Sequence, residues 1–365
     1  MSDPVLVYAT FAQATLVRPL LGAAAQATGL SVRLELYGSG SLFQRLGPRH
    51  APPLPDVVLW NGPLAAHAAA QSGLLQPYQP PRVPDGVLHH PGWLWTTLDE
   101  RLMMASSVKG ATSVGSLAEL AGVPRLALAD PERAEAGMLL LLASLDRARQ
   151  VEGDVERGWT WWQQRAQAGL ALFEDEASAR AATEPGGPAS HALTLAGGSP
   201  AATAAAAASS GPASAASGPA PAPASGAAAA TPGSATATRG SAPRAGSSGT
   251  TAGALAGAAS GPGATAGGVA LAANGSAVAG LAPIPNAASL AANARNRDAA
   301  RRLLDWLTGE AAAAHLPLSP WQAATNGLQA ARTAAPPFDV EWATQQYNAV
   351  RRRWAASAYG PTLAS

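Results

Sequence analysis

Apolar and polar positions change their period repeatedly along the chain. Val5 to Tyr8 is a short continuous apolar run, the pattern of a strand covered on both faces. From Leu16 to Thr28 apolar residues recur at helical spacing, and Gly29 stands where a helix end favours a left-handed glycine. Ser31 to Tyr37 alternates, placing Val32, Leu34 and Leu36 on one face of a strand. Gly38-Ser39-Gly40-Ser41 then opens a helix around Leu42 to Leu46. Pro55-Asp56 precedes a strand at Val57 to Trp60, and Asn61-Gly62-Pro63 opens a helix over Leu64 to Gln71. Further on, Leu94 to Ser106 carries a strand with Arg101 inside it, and Ser116 to Leu120 a short helix. Arg125 to Ala129 is a strand ending in Asp130-Pro131. Glu135 to Ala148 and Val155 to Ala168 are helices, the second with Trp159, Trp161 and Trp162. Leu170 to Phe173, Ala192 to Leu195 and Val278 to Ile284 read as strands, the last running into Pro285-Asn286. Helices follow over Arg297 to Leu307 and Val340 to Trp354. Such alternation predicts an α/β fold with a mostly parallel sheet.

One stretch breaks the pattern. Residues 197–268 are almost entirely Ala, Gly, Ser, Thr and Pro, with Arg239 and Arg244 as charges and Leu255 as the one large apolar side chain. A run of this kind buries too little apolar area to offset the entropy of ordering it, so a disordered insertion is expected. Strand and helix patterns lie on both sides, so it interrupts a folded unit rather than separating two.

Composition narrows the function. Charged residues make up 13% of the chain, against about 25% in ordinary domains, and the net charge is +1. Lys109 is the single lysine, and the only basic run is Arg351-Arg352-Arg353, read as a solvated helix end. No face is basic enough for nucleic acid. The chain has no cysteine, which excludes disulfides, thiolate metal sites and cysteine nucleophiles. No apolar stretch is long enough to cross a membrane. Met1-Ser2-Asp3-Pro4 leads straight into the first strand without the parts of an export signal, so the chain as written is not addressed for export.

Several segments occur in a telling order. They are Leu6-Val7-Tyr8-Ala9-Thr10, Ala27-Thr28-Gly29-Leu30-Ser31-Val32, Tyr37-Gly38-Ser39-Gly40-Ser41-Leu42 and Pro55-Asp56-Val57-Val58. Gly73-Leu74-Leu75-Gln76-Pro77-Tyr78, Leu126-Ala127-Leu128-Ala129-Asp130-Pro131 and Gly158-Trp159 follow. Asp298 to Leu307 and Phe338-Asp339-Val340-Glu341-Trp342 complete the set. Together they resemble type II periplasmic solute-binding proteins of ABC transporters, in the branch of ferric-iron, thiamine, polyamine and aminoethylphosphonate binders. The resemblance implies two α/β lobes that hinge shut on a solute and then dock on a permease served by an ATPase. Lobe one would comprise 1–93 and 287–365, and lobe two 94–286 with the insertion. The hinge would lie near Gly92-Trp93 and Pro285-Asn286. It further implies a periplasmic monomer with no catalysis, cofactor, metal, nucleic-acid partner or membrane insertion. The solute would be small and anionic or zwitterionic.

Ligand-binding candidates follow from strand ends and helix starts. Ser39, Gly40 and Ser41 combine close backbone approach with free N–H groups at a helix N-terminus; the plain alternative is a serine N-cap. Thr10 and Asn61 end strands, where open parallel sheets line a binding crevice; helix capping is the alternative for both. By resemblance Arg101 faces an anion through its planar fork, or else pairs with Asp99 or Glu100. After Asp130-Pro131 the family's hydroxyl-rich turn is replaced by Glu132-Arg133-Ala134-Glu135. Arg133 would serve there, while Glu132 and Glu135 would weaken anion binding. No tyrosine lies between Tyr78 and Tyr347, so capture of ferric ion by paired second-lobe tyrosines is not expected. His89-His90 is the only histidine cluster and reads as a solvated loop. Two alternatives stay open: a cytoplasmic ligand sensor of the same fold, and a degenerate binder whose insertion replaces a ligand-facing wall.

Overall fold

The computed structural model describes residues 3–47, 53–108, 114–196, 275–316, 318–322 and 328–359. The expected insertion over 197–268 and Gly40's surroundings lie outside what is described. Strand β1 (Val5–Thr10) is buried throughout and pairs in parallel with β2 (Val32–Tyr37) and β3 (Val57–Trp60). Helices α1 (Ala14–Thr28), α2 (Ser39–Leu46) and α3 (Pro63–Gln71) follow these strands in turn. Gly29 closes α1 at φ 68°, in the left-handed position expected of it.

Strand β4 (Leu75–Gln76) leads to β5 (Thr96–Ser107), whose first eleven residues are all buried. A second set then forms from α4 (Leu117–Leu120), β6 (Leu126–Ala129), α5 (Glu135–Glu152), α6 (Val155–Gln167), β7 (Leu170–Phe173), α7 (Glu176–Ala181) and β8 (His191–Ala196). After β9 (Gly275–Ala277), β10 (Ile284–Ala291) returns to the first set, followed by α8 (Arg297–Leu307), α9 (Leu328–Ala334) and α10 (Val340–Tyr359).

The sheet order is β2-β1-β3-β10-β5-β8-β6-β7, with β4 on β10 and β9 on β5. Two departures from the sequence reading stand out. The sheet is mixed rather than mostly parallel. Its two ends are parallel, but β10 runs antiparallel to β3, β4 and β5, and β5 antiparallel to β8 and β9. The returning strand β10 is laid between β3 and β5 and runs antiparallel to both. Secondly, Val278 to Ile284 is not one strand. Gly280 turns the backbone at φ 84°, Pro283 removes a donor, and the strand proper is the small-residue segment beginning at Ile284.

Strand β5 joins the halves. Thr96 to Arg101 pair with β10, and Leu102 to Ser107 with β8. The core follows β1's alternation. Val5, Val7 and Ala9 pack with Leu20 of α1 and Leu303 and Leu307 of α8. Leu6 and Tyr8 belong to the opposite cluster, which runs through Trp60, Leu139 and Leu141 to Trp162 and Trp354. Helix α10 packs against both α3 and α5, so apolar contact is continuous from one half to the other.

Candidate functional site

The turns that follow β2 and β3 lie against the start of α5. Gly38 occupies the position before α2 in an extended conformation (φ −67°, ψ 150°) and supplies no side-chain cap. Ser39 is therefore the first helical residue, not the cap. Its hydroxyl is free to reach outward and donates to Glu135 Oε2 at 2.9 Å. Ser41 lies in the first turn and is exposed.

Asn61 follows β3. Its side-chain Oδ1 accepts from Arg101 Nη1 at 3.2 Å, and its carbonyl accepts from Nη2 at 3.3 Å. Gly62 holds a backbone open mainly to glycine (φ 132°). A Cβ there would stand 2.9 Å from Leu139 Cδ1 and 3.3 Å from Glu135 Oε1. The β3–α3 turn and the first turns of α5 are thus in direct apposition.

Arg101 sits where β5 passes from β10 to β8 and is 6% exposed. Neither adjacent acid takes its fork. Glu100 pairs with Arg332 at 2.8 Å, and Asp99 accepts from Asn286 Nδ2 at 2.9 Å. Arg101 Nε is buried and has no hydrogen-bond partner among the described residues.

Three carboxylates lie in the field of this one guanidinium. Burial raises Glu135, against the pull of Arg101 and the hydrogen bonds of Ser39 and Asn61. Burial raises Asp99 to about 6, opposed by Asn286 and Arg101. Glu176 on α7 is raised by burial and opposed first by Arg101; it accepts the Leu195 amide. A cation, hydroxyls, amides and carboxylates thus converge where the two halves meet. Such a set can hold an anionic group on Arg101 and an ammonium on the acids.

The remaining predicted residues have other partners. Thr10 is buried, and its hydroxyl donates to Gln13 Oε1 at 3.2 Å while Gln13 Nε2 donates to the Trp60 carbonyl at 2.9 Å. These bonds fasten the end of β1 to the end of β3. Arg133 is largely exposed, 3.7 Å from Asp130 and 3.5 Å from Glu174. His89 stacks on Trp93 with ring centroids 3.9 Å apart, and His90 lies 5.6 Å from His67. Burial lowers both His67 and His90. Among the described residues no three acidic or histidine side chains are placed to hold a metal. Among them, too, no helix is long and apolar enough to cross a membrane.

Reading from sequence names neither Glu135 nor Glu176 as a binding residue. The signal in both is an acid in the first turn of a helix, directly after a turn at a strand end.

The fold is the two-lobe type II fold of periplasmic binding proteins, as solved structures show. The substrate-binding protein of an ABC transporter from Agrobacterium tumefaciens matches with a TM-score of 0.61 at 13% identity, over 98% of this chain and 94% of that one. The periplasmic binding protein AfuA from Actinobacillus pleuropneumoniae, solved with fructose-6-phosphate, gives 0.64 at 13% identity, over 98% and 99%. Iron-bound HitA from Pseudomonas aeruginosa gives 0.61 at 13%, over 96% and 99%. No family model matches the chain, and no curated protein matches it by sequence.

Proposed function

We propose that this chain is the solute-binding component of an ABC importer, working in the periplasm and handing its solute to a permease. Lobe one is formed by 1–93 with 287–365, and lobe two by 94–286. The solute is small and zwitterionic or anionic. No catalytic step and no cofactor enter this reading.

One observation carries it. Ser39, Asn61 and Arg101 come from three separate elements and converge with a carboxylate at the junction of the halves. A site already built around a carboxylate is suited to the carboxylate or phosphonate of a solute. With that group on Ser39 and Arg101, Glu135 and Glu176 are placed to receive the solute's ammonium. Binding between lobes, with donors from both, is also what a hinge fold needs if solute is to stabilise the closed form.

The test is a thermal-shift screen against aminoalkylphosphonates, phosphate esters, amino acids, thiamine, polyamines and ferric citrate. A solute present at one hundred times its Kd stabilises the folded chain by about 2.7 kcal/mol. The expected result is a shift with a zwitterion that disappears in the Ser39→Ala/Arg101→Ala double variant. A shift that survives the double variant places the site elsewhere. No shift with any compound removes this solute class and favours a binder that has lost its ligand.

A further inference from the structure

We infer that Glu135 is an internal stand-in for the solute: a tethered carboxylate that closes the cleft when no solute is bound and that an arriving anionic group must displace. The inference deepens the proposed site and rests on that reading only in requiring that the two halves hinge.

Four features support it. Glu135 and Ser39 are 96 residues apart, on helices of opposite halves, yet joined by a 2.9 Å hydrogen bond. Four residues on, Leu139 Cδ1 fills the space that a Cβ on Gly62 would need, so the polar and apolar parts of the contact lie side by side. Arg101, from the strand shared by both halves, fastens Asn61 beside the same carboxylate. Finally, Glu135 leaves the site incompletely used. Arg101 is 6% exposed, and its Nε has no partner among the described residues. A free solute anion is able to satisfy that donor, whereas Glu135, held by its helix, does not. The internal ligand is therefore outbid only by a better-fitting one.

The energetics suit a latch that opens. The hydrogen bond from Ser39 to the Glu135 carboxylate favours the latched state. Burial of the carboxylate opposes much of that gain here. A competing internal ligand lowers the apparent affinity for any solute by the fraction of molecules it holds shut. Removing it should tighten binding of an anion by about tenfold, which corresponds to about 1.4 kcal/mol.

The experiment measures small-angle X-ray scattering of solute-stripped wild type, Glu135→Ala and Ser39→Ala, each in sodium chloride and in sodium acetate of equal ionic strength. Acetate is the probe because it restores the missing carboxylate. Expected: wild type scatters as the closed form in both salts. Glu135→Ala has a larger radius of gyration in chloride and closes again in acetate, and Ser39→Ala is also expanded. Either a Glu135→Ala protein as compact as wild type in chloride, or an expanded one that acetate leaves unchanged, overturns the inference. Should Glu135→Ala fail to fold by circular dichroism, Ser39→Ala decides alone: a closed Ser39→Ala protein refutes the latch. No natural solute enters these measurements. Failure of the solute screen therefore leaves the latch standing, and failure of the latch leaves the proposed solute to its own test.

Discussion

A buried carboxylate that is not fully compensated makes stability depend on pH in a direction opposite to the usual ion-paired acid. Asp99 titrates near 6 in the fold against 3.8 when free, because burial outweighs Asn286 and Arg101. The folded state then holds a proton more tightly than the unfolded one. This group's stabilisation is complete below pH 3.8 and is lost as pH rises through about 6. The full swing is about 3 kcal/mol. Urea unfolding at pH 4.5 and 7.5 should show that the Asp99→Asn protein lacks this part of the pH dependence. At pH 7.5 the variant should be at least as stable as wild type. A variant with unchanged pH dependence and lower stability at neutral pH would refute this assignment. At this same scale the site was partly legible beforehand. Ser39 and Asn61 were reachable because strand ends and helix starts are where a parallel sheet exposes donors, whereas Arg101, inside a strand, was reached only through the family resemblance. Glu135 was legible only as a nuisance to anion binding, since nothing local says which half its helix will face. Thr10 matched the strand-end rule equally well, yet Gln13, three residues on, takes its hydroxyl.

Elements were more legible than residues where one period persisted. Helices α1, α5, α6 and α8 and strands β1, β2 and β3 were all anticipated, because each buries a stripe or a face that the sequence displays. The misses have specific causes. Strand β10 is all buried but built of small residues, IPNAASLA, so its centrality comes from its neighbours rather than its own hydrophobicity. One close approach likewise leaves no periodic signal. A Cβ on Gly137 would lie 2.0 Å from the Ala129 carbonyl oxygen, because the first turn of α5 packs directly on the end of β6. Gly137→Ala should therefore destabilise by about 3 kcal/mol or more, despite the gain of about 1 kcal/mol in helix propensity. A urea midpoint equal to or above wild type would show that the contact relaxes freely. Asp56 has a comparable role in the first half. Its carboxylate accepts the Leu6 amide at 2.9 Å and the Arg295 and Asn296 amides at 2.7 and 2.9 Å. It thus ties β1 to the start of α8, which has no side-chain cap of its own. Asp56→Ala strands three donors and should cost about 3 kcal/mol. Hydrogen exchange should quicken first over Arg297–Leu307; unchanged exchange there would contradict the capping role.

At the scale of the whole molecule, the first and second halves share one strand, one apolar cluster and one polar network. The shared strand β5 and the return strand β10 are the only strands seen to carry the chain between them among the described residues. On the proposed reading that economy suits a hinge, since few strands would have to bend. The central claim is that a small charged solute is held by Ser39, Asn61 and Arg101 between the two halves. Native mass spectrometry of protein purified without denaturant tests this most directly, with the Ser39→Ala/Arg101→Ala protein purified alongside. The account expects a small-molecule adduct on wild type, bearing an acidic group, that is absent from the double variant. An adduct carried equally by both proteins would contradict it.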